Sequence, residues 1–218
     1  MNLCEKYRPR VLADIVGQDK AVRKVQHIIG RALADPRPIC LFIQASGVNN
    51  SGIGKTTLAL AAAAEVADQF FTTETIGTRL TKTAVREMAN TAQLYAGCGK
   101  RYRAWIVNEA HSIPKDAVDE LLEVLETVPD HFFIAFTTTK KPESGLFGEN
   151  NGPFYSRCSV ITLTNQGVAQ AFADRAREIA HAEGLDGQPP AAYLKLARDC
   201  GNNMRAMIQR IDDGDMME

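Results

Sequence analysis

The run Ser51-Gly52-Ile53-Gly54-Lys55-Thr56-Thr57 constrains this chain more than any other segment. A fully apolar run, ICLFIQA (39–45), precedes it, and an alanine-rich stretch (55–67) follows. A buried strand, a glycine turn and the start of a helix, in that order, are the setting a phosphate-binding loop requires. The glycines let backbone amides approach phosphate oxygens, and the new helix aims its positive end at them. Lys55 is placed to reach the β- and γ-phosphates, and the Thr56 hydroxyl to ligate magnesium. Asn50, Ser51, Gly52, Ile53, Gly54, Lys55, Thr56 and Thr57 are the expected cradle. The motif departs from GxxxxGK[ST] at Asn49, where glycine is the rule. Asparagine tolerates left-handed backbone angles, and Gly47 can extend the loop.

The rest of the chain alternates in the same sense. Residues 1–18 read as an extended arm ending at VGQ, and Asp19 can cap a helix carrying Val22, Val25, Ile28, Ile29 and Leu33 at helical spacing. Strands are expected at 39–45, 69–74, 103–108, 131–138 and 159–164, with helices at 55–67, 81–96 and 115–126. That pattern implies an α/β fold, a parallel five-stranded sheet flanked by helices. From Asn165 onward only helices are expected (166–183, 189–200 and 202–211). The chain therefore divides into a nucleotide-binding α/β domain, 1–164, and a helical lid domain, 165–218.

Composition sets limits on what this fold can serve. The 218 residues carry a net charge of -1, so a uniformly basic nucleic-acid surface is excluded and any DNA contact must come from a local patch or from several subunits together. No apolar run approaches the roughly 18 residues of a membrane span. The five cysteines are scattered without a CxxC pair, which suits reduced intracellular thiols and not a zinc site.

RAWIVNEAH (103–111) places two polar groups at the carboxyl end of an apolar strand, the sheet edge where ligands bind in this architecture. Glu109 is suited to orient a water for in-line attack on a γ-phosphate. The preceding position normally carries an aspartate that holds magnesium through water. Here it is Asn108, whose amide oxygen accepts hydrogen bonds but brings no negative charge. Lowered metal affinity or slowed hydrolysis, with nucleotide binding retained, is the expectation.

EKYRPR (5–10), DIVGQ (14–18), YSRCSVITL and CGNNMRAMIQ, taken with the phosphate loop and Glu109, together resemble the clamp-loader family of AAA+ ATPases, such as replication factor C small subunits and the bacterial polymerase III gamma/tau subunit. EKYRPR (5–10) and DIVGQ (14–18) are similar to that family's N-terminal signature. The resemblance implies that Tyr7, Arg8, Pro9, Val16 and Gly17 line an adenine pocket. It makes Thr138 the first sensor of the γ-phosphate, and Arg205, in CGNNMRAMIQ, the second sensor in the lid. YSRCSVITL carries Ser156-Arg157-Cys158, the family's SRC motif, and implies that Arg157 reaches the ATP site of a neighbouring subunit. ATP and Mg2+ are the implied cofactors. Other clamp-loader subunits in a pentamer, a sliding clamp and primer–template DNA are the implied partners, in the cytoplasm of a bacterium or phage-infected host. Arg79, Lys82, Thr83 and Arg86, in TIGTRLTKTAVREM (75–88), are similar to the family's DNA-tracking helix, and GCGKR (97–101) with helix 115–126 falls on its clamp-facing side.

Three departures from the family stand out. The chain stops where the helical collar would begin, so assembly is held differently, the chain is a fragment, or it works outside a standard loader. The zinc-binding cysteines of gamma/tau are absent, and ESGLFGENNGPFY lengthens the link between sensor and finger. Besides a loader motor, two further functions fit the residues. One is an ATP-binding scaffold that donates Arg157 but seldom hydrolyses its own nucleotide. The other is a different AAA+ DNA motor such as a branch-migration helicase, against which SRC and EKYRP both speak.

Overall fold

The apolar run ahead of the phosphate loop forms β1 (Ile39–Ser46), and it lies inside the sheet with a parallel partner on each side. The structure, a computed structural model, describes residues 2–46, 51–96, 99–139 and 153–217. Gly47, Asn49, Asn50, Cys98 and most of the 140–154 segment lie outside the described residues. On one side β1 pairs with β4 (Phe132–Thr137), from Ile39 opposite Phe133 to Ile43 opposite Thr137. On the other it pairs with β5 (Ser159–Thr164). Beyond β4 come β3 (Arg103–Asn108) and then β2 (Thr72–Ile76), so the five-stranded order is β2-β3-β4-β1-β5, parallel throughout.

Burial explains the strand sequences. Every residue of β4 is buried, because a central parallel strand is covered on both faces. Its side chains alternate between two cores, as the twofold period of a strand demands. Phe133 and Ala135 meet α2 (Asp19–Ala34) and α3 (Lys55–Val66). Phe132, Ile134 and Phe136 face the opposite way, toward α4 (Lys82–Ala92), α5 (Lys115–Thr127) and α6 (Pro153–Arg157). Helix α3 is apolar nearly all round because it is buried, and Ala59, Ala61, Ala62 and Ala63 let its backbone approach the sheet closely. At the sheet edge β2 reads TTETI, with no continuous apolar run.

The helices after β5 are α7 (Ala169–Glu183), α8 (Pro190–Asp199) and α9 (Met204–Asp212), and they share a core of Phe172, Ala176, Tyr193, Leu196, Met207 and Ile211. The N-terminal arm docks on these helices. Its short helix α1 (Leu3–Lys6) seats Leu3 against Ile179 and Ile208. Among the described residues no helix is long and apolar enough to cross a membrane.

Four local expectations need correction. The arm is not extended throughout, since it contains α1 and a 3-10 turn at Leu12–Asp14. Asp19 is the first residue of α2 and not its cap; Gln18 takes the cap position and spends its side chain on Thr164, with Nε2 donating to the carbonyl (2.7 Å) and Oε1 accepting from the amide (3.1 Å). The strand expected at 69–74 begins only at Thr72. Gln69–Phe71 form a 3-10 turn closed on the Asp68 carbonyl, with Phe71 under the Arg103 guanidinium and Phe70 90% exposed. Helix α4 ends at Ala92, not near residue 96: the Leu94 carbonyl accepts from Arg103 Nε (2.8 Å) and Tyr95 stacks on His131.

Candidate functional site

Three segments far apart in the chain converge at the carboxyl ends of the strands: the loop after β1, the end of β3, and the residues after β4. Gly52 and Gly54 both have positive φ (68° and 98°), the conformations a side chain resists, and Gly54 precedes α3. Lys55 is only 6% exposed. Burial pushes its ammonium below the ordinary lysine value, the Glu109 carboxylate opposes that shift, and the Arg205 guanidinium adds to it. A buried cation beside the first turn of a helix is arranged to gain from an anion.

At the end of β3 the chain turns sharply. Glu109 has left-handed angles (φ 52°, ψ 49°), a conformation costing about 1–3 kcal/mol for a residue with a side chain. Ser112 holds the turn, with its amide (2.8 Å) and hydroxyl (2.6 Å) both donating to the Glu109 carbonyl. Glu109 Oε2 accepts from the Thr139 hydroxyl at 2.7 Å and lies 3.3 Å from His111 Nδ1. Just before it, Asn108 Oδ1 accepts from the hydroxyls of Thr56 (2.8 Å) and Thr137 (2.9 Å).

The donor set fits a magnesium ion at Thr56. That hydroxyl spends its proton on Asn108, which leaves oxygen lone pairs for a hard cation. Asn108 is already engaged at both acceptor positions of its oxygen, so accepting a metal-bound water there means releasing one of the two threonines.

Arm and lid close the pocket. Tyr7, Arg8, Pro9, Ile15 and Val16 line one side, the loop Ser51–Thr57 lines the floor with Glu109 and Thr139, and Phe172, Arg175, Met204 and Arg205 line the lid side. The arm is tied to the lid by Glu183, which accepts from both the Tyr7 hydroxyl and the Lys6 ammonium. Gly17 is not a wall residue. It has φ 70°, and a Cβ there would meet Phe172 at 3.1 Å and Val168 at 3.2 Å, so it lets the arm pass close under α7.

Lid and phosphate loop touch at Gly52. Its carbonyl accepts from the Met204 amide (3.2 Å), and Asn203, the cap of α9, sits where a Cβ would be, 1.7 Å from Oδ1. Gly52→Ala is therefore expected to force α9 off the loop. The left-handed angle alone costs about 1–2 kcal/mol. Thermal melting and calorimetry with ATP should show a lower midpoint and affinity weakened by at least about tenfold, or 1.4 kcal/mol; wild-type affinity would show the contact to be incidental.

Other sequence-predicted residues lie elsewhere. Thr138 is 3% exposed, its hydroxyl 3.2 Å from His111 Nδ1, and its neighbour Thr139 is the one that lines the pocket. Arg157 ends α6, paired with Glu126 of α5 and outside the wall of its own chain's pocket. Arg79 sits in a 3-10 turn (Gly77–Arg79) ahead of α4, while Lys82, Thr83 and Arg86 lie on α4, all four exposed. Arg86 makes a two-pronged pair with Glu120 (2.7 and 3.2 Å), which partly neutralises that face and holds the Glu120 carboxyl below its usual range.

Sequence reasoning missed Thr139, Thr137, Ile15 and Arg175. Ile15 lay inside the DIVGQ run, and Thr139 inside a run of threonines where alternation alone could not choose a position. Arg175 had no signal, because its place depends on how α7 docks.

A family profile described as ATPase family associated with various cellular activities (AAA) matches residues 48–170. Curated relatives include the replication factor C small subunit of Methanoculleus marisnigri, 28% identical over 191 residues, covering 83% of this chain and 53% of the relative. Replication factor C small subunit 1 of Pyrobaculum arsenaticum is 26% identical over 221 residues, covering 97% of this chain and 57% of the relative. The chain thus spans about half the length of the curated relatives it matches. Among solved structures, the RuvB Holliday junction branch migration motor of Thermotoga maritima superposes with a TM-score of 0.70 at 19% identity, covering 95% of this chain and 65% of that one; at this identity it speaks for the fold alone. The clamp-loader resemblance read from the motifs is borne out by the relatives' identity as replication factor C small subunits. The chain belongs to the AAA family of ATPases.

Proposed function

We propose that this chain is an ATP-dependent clamp-loader subunit, in which ATP binding within an oligomer opens a sliding clamp at primer–template DNA and hydrolysis releases it. The observation that carries this reading is the closure of one pocket by the arm, the phosphate loop, Glu109 and Arg205. Backbone amides of the loop and the buried Lys55 bind the phosphates, Thr56 would hold magnesium directly and Asn108 through a water once Thr137 is released, and Arg205 reports the γ-phosphate to the lid. Magnesium, when bound, neutralises charge on the phosphate oxygens. Glu109 orients the attacking water, with Thr139 and His111 fixing its carboxylate. Arg157 completes a neighbouring subunit's site.

Exposed Arg79, Lys82 and Thr83 contact DNA phosphates, which fixes position without reading sequence. The clamp docks at the opposite end of the sheet, where Phe70, Leu94 and Tyr95 are 90%, 58% and 70% exposed. The division at 164/165 separates the sheet from a lid that moves with nucleotide.

Calorimetry with ATP and ADP tests the reading. Wild type should bind both, and Lys55→Ala should lose binding because the phosphate charge then has no buried cation facing it. Turnover should rise when primed DNA and clamp are added. Absence of nucleotide uptake by the wild-type chain, alone or assembled, would overturn the proposal.

A further inference from the structure

The amide of Asn108 is oriented by its neighbours. With Oδ1 accepting from Thr56 and Thr137, its NH2 turns the other way and donates to Glu74 Oε1 at 2.6 Å. Glu74 belongs to β2, whose register sets Ile76 opposite Asn108 and Glu74 opposite Ile106. It is exposed on an edge strand and is the one charged residue among five, so packing of β2 does not call for a carboxylate there.

We propose that Glu74 supplies, from the adjacent strand, the negative charge that Asn108 lacks, and that the chain Thr56–Asn108–Glu74 balances magnesium in the nucleotide site. This inference rests on the ATP-site reading above. A carboxylate on the NH2 of an amide polarises it and strengthens its oxygen as an acceptor. That oxygen holds the Thr56 proton, and with it the direction of the Thr56 lone pairs. Glu74 is thus a positioning residue: it acts through Asn108 and does not line the pocket.

The arrangement changes what Asn108→Asp alone should do. The new carboxylate would stand at hydrogen-bonding distance from that of Glu74, two like charges with no proton between them. The charge can be moved to position 108 only if the partner becomes its donor, as in E74Q/N108D.

Binding of the fluorescent analogue mant-ATP, titrated with Mg2+ and repeated in excess EDTA, tests the proposal on the intact chain. For Glu74→Gln, the Mg2+ needed for half-maximal tightening should rise about 10- to 100-fold, the usual cost of removing an outer-shell partner of a metal site. Affinity in EDTA should stay at the wild-type value, and E74Q/N108D should return the Mg2+ dependence to near wild type. Thermal melts establish that each variant is folded, with Glu74→Ser as a second substitution at this exposed position. A Glu74→Gln titration that superimposes on wild type sinks the idea. So does an equal loss with and without Mg2+, which marks a purely structural role, or a double variant that recovers nothing. If wild type binds no mant-ATP under any condition, the ATP-site reading fails and this inference falls with it.

Discussion

Arg157→Ala is expected to bind ATP as tightly as wild type and, once assembled, to hydrolyse it about 10³- to 10⁵-fold more slowly, the range an arginine supplied in trans contributes to phosphoryl transfer. The split between binding and turnover follows from placement. Arg157 sits at the end of α6 beside Glu126, outside the wall of its own chain's pocket, so its loss leaves that pocket intact. The role proposed for it is neutralisation of charge on the transferring phosphoryl group, which needs a guanidinium and little else.

Mixing variants separates trans from cis action. A Lys55→Ala protomer has a defective pocket and an intact finger, and an Arg157→Ala protomer has the reverse. Combined, they should regain a measurable share of activity, because the sound pocket of one receives the finger of the other. Mixtures as inactive as the separate variants would show that Arg157 serves its own site or none.

Glu109→Gln is expected to leave nucleotide bound and to reduce turnover by about 10²- to 10⁴-fold, the contribution typical of a positioned general base. Glutamine keeps an oxygen to accept from Thr139, and the left-handed turn is held by the Glu109 backbone carbonyl through Ser112, so shape and affinity should persist. What is lost, in the proposed role, is the basic oxygen that draws a proton from the attacking water. Single-turnover measurement of phosphate release, beside equilibrium binding of ATP, checks both halves. Undiminished phosphate release would remove Glu109 from the mechanism and turn attention to His111, 3.3 Å from its carboxylate.

Both variants address residues that could be picked out before any coordinates. Glu109 directly follows an apolar strand, and Arg157 lies in an SRC triplet directly before another. The positions of the central strands were legible because a parallel sheet covered on both faces demands contiguous apolar runs, and ICLFIQA and HFFIAFTT are such runs; the order of the five strands was not. Boundaries were less legible where an aromatic could serve either a strand or a turn. Phe70 and Phe71 read as strand residues, yet the Asp68 carbonyl closes a 3-10 turn around them and Arg103 covers only Phe71.

By itself the sequence determined the phosphate loop, the alternation of strands and helices, and the catalytic candidates at strand ends. Those depend on short-range spacing and on the burial each segment must find. Only the tertiary structure decided which threonine faces Glu109, that Asn203 of the lid rests on Gly52, and that the carboxylate next to Asn108 comes from Glu74. Residues 74 and 108 are brought together by the register of β2 on β3, and the pairing of strands so far apart in the chain leaves no periodic trace in either segment.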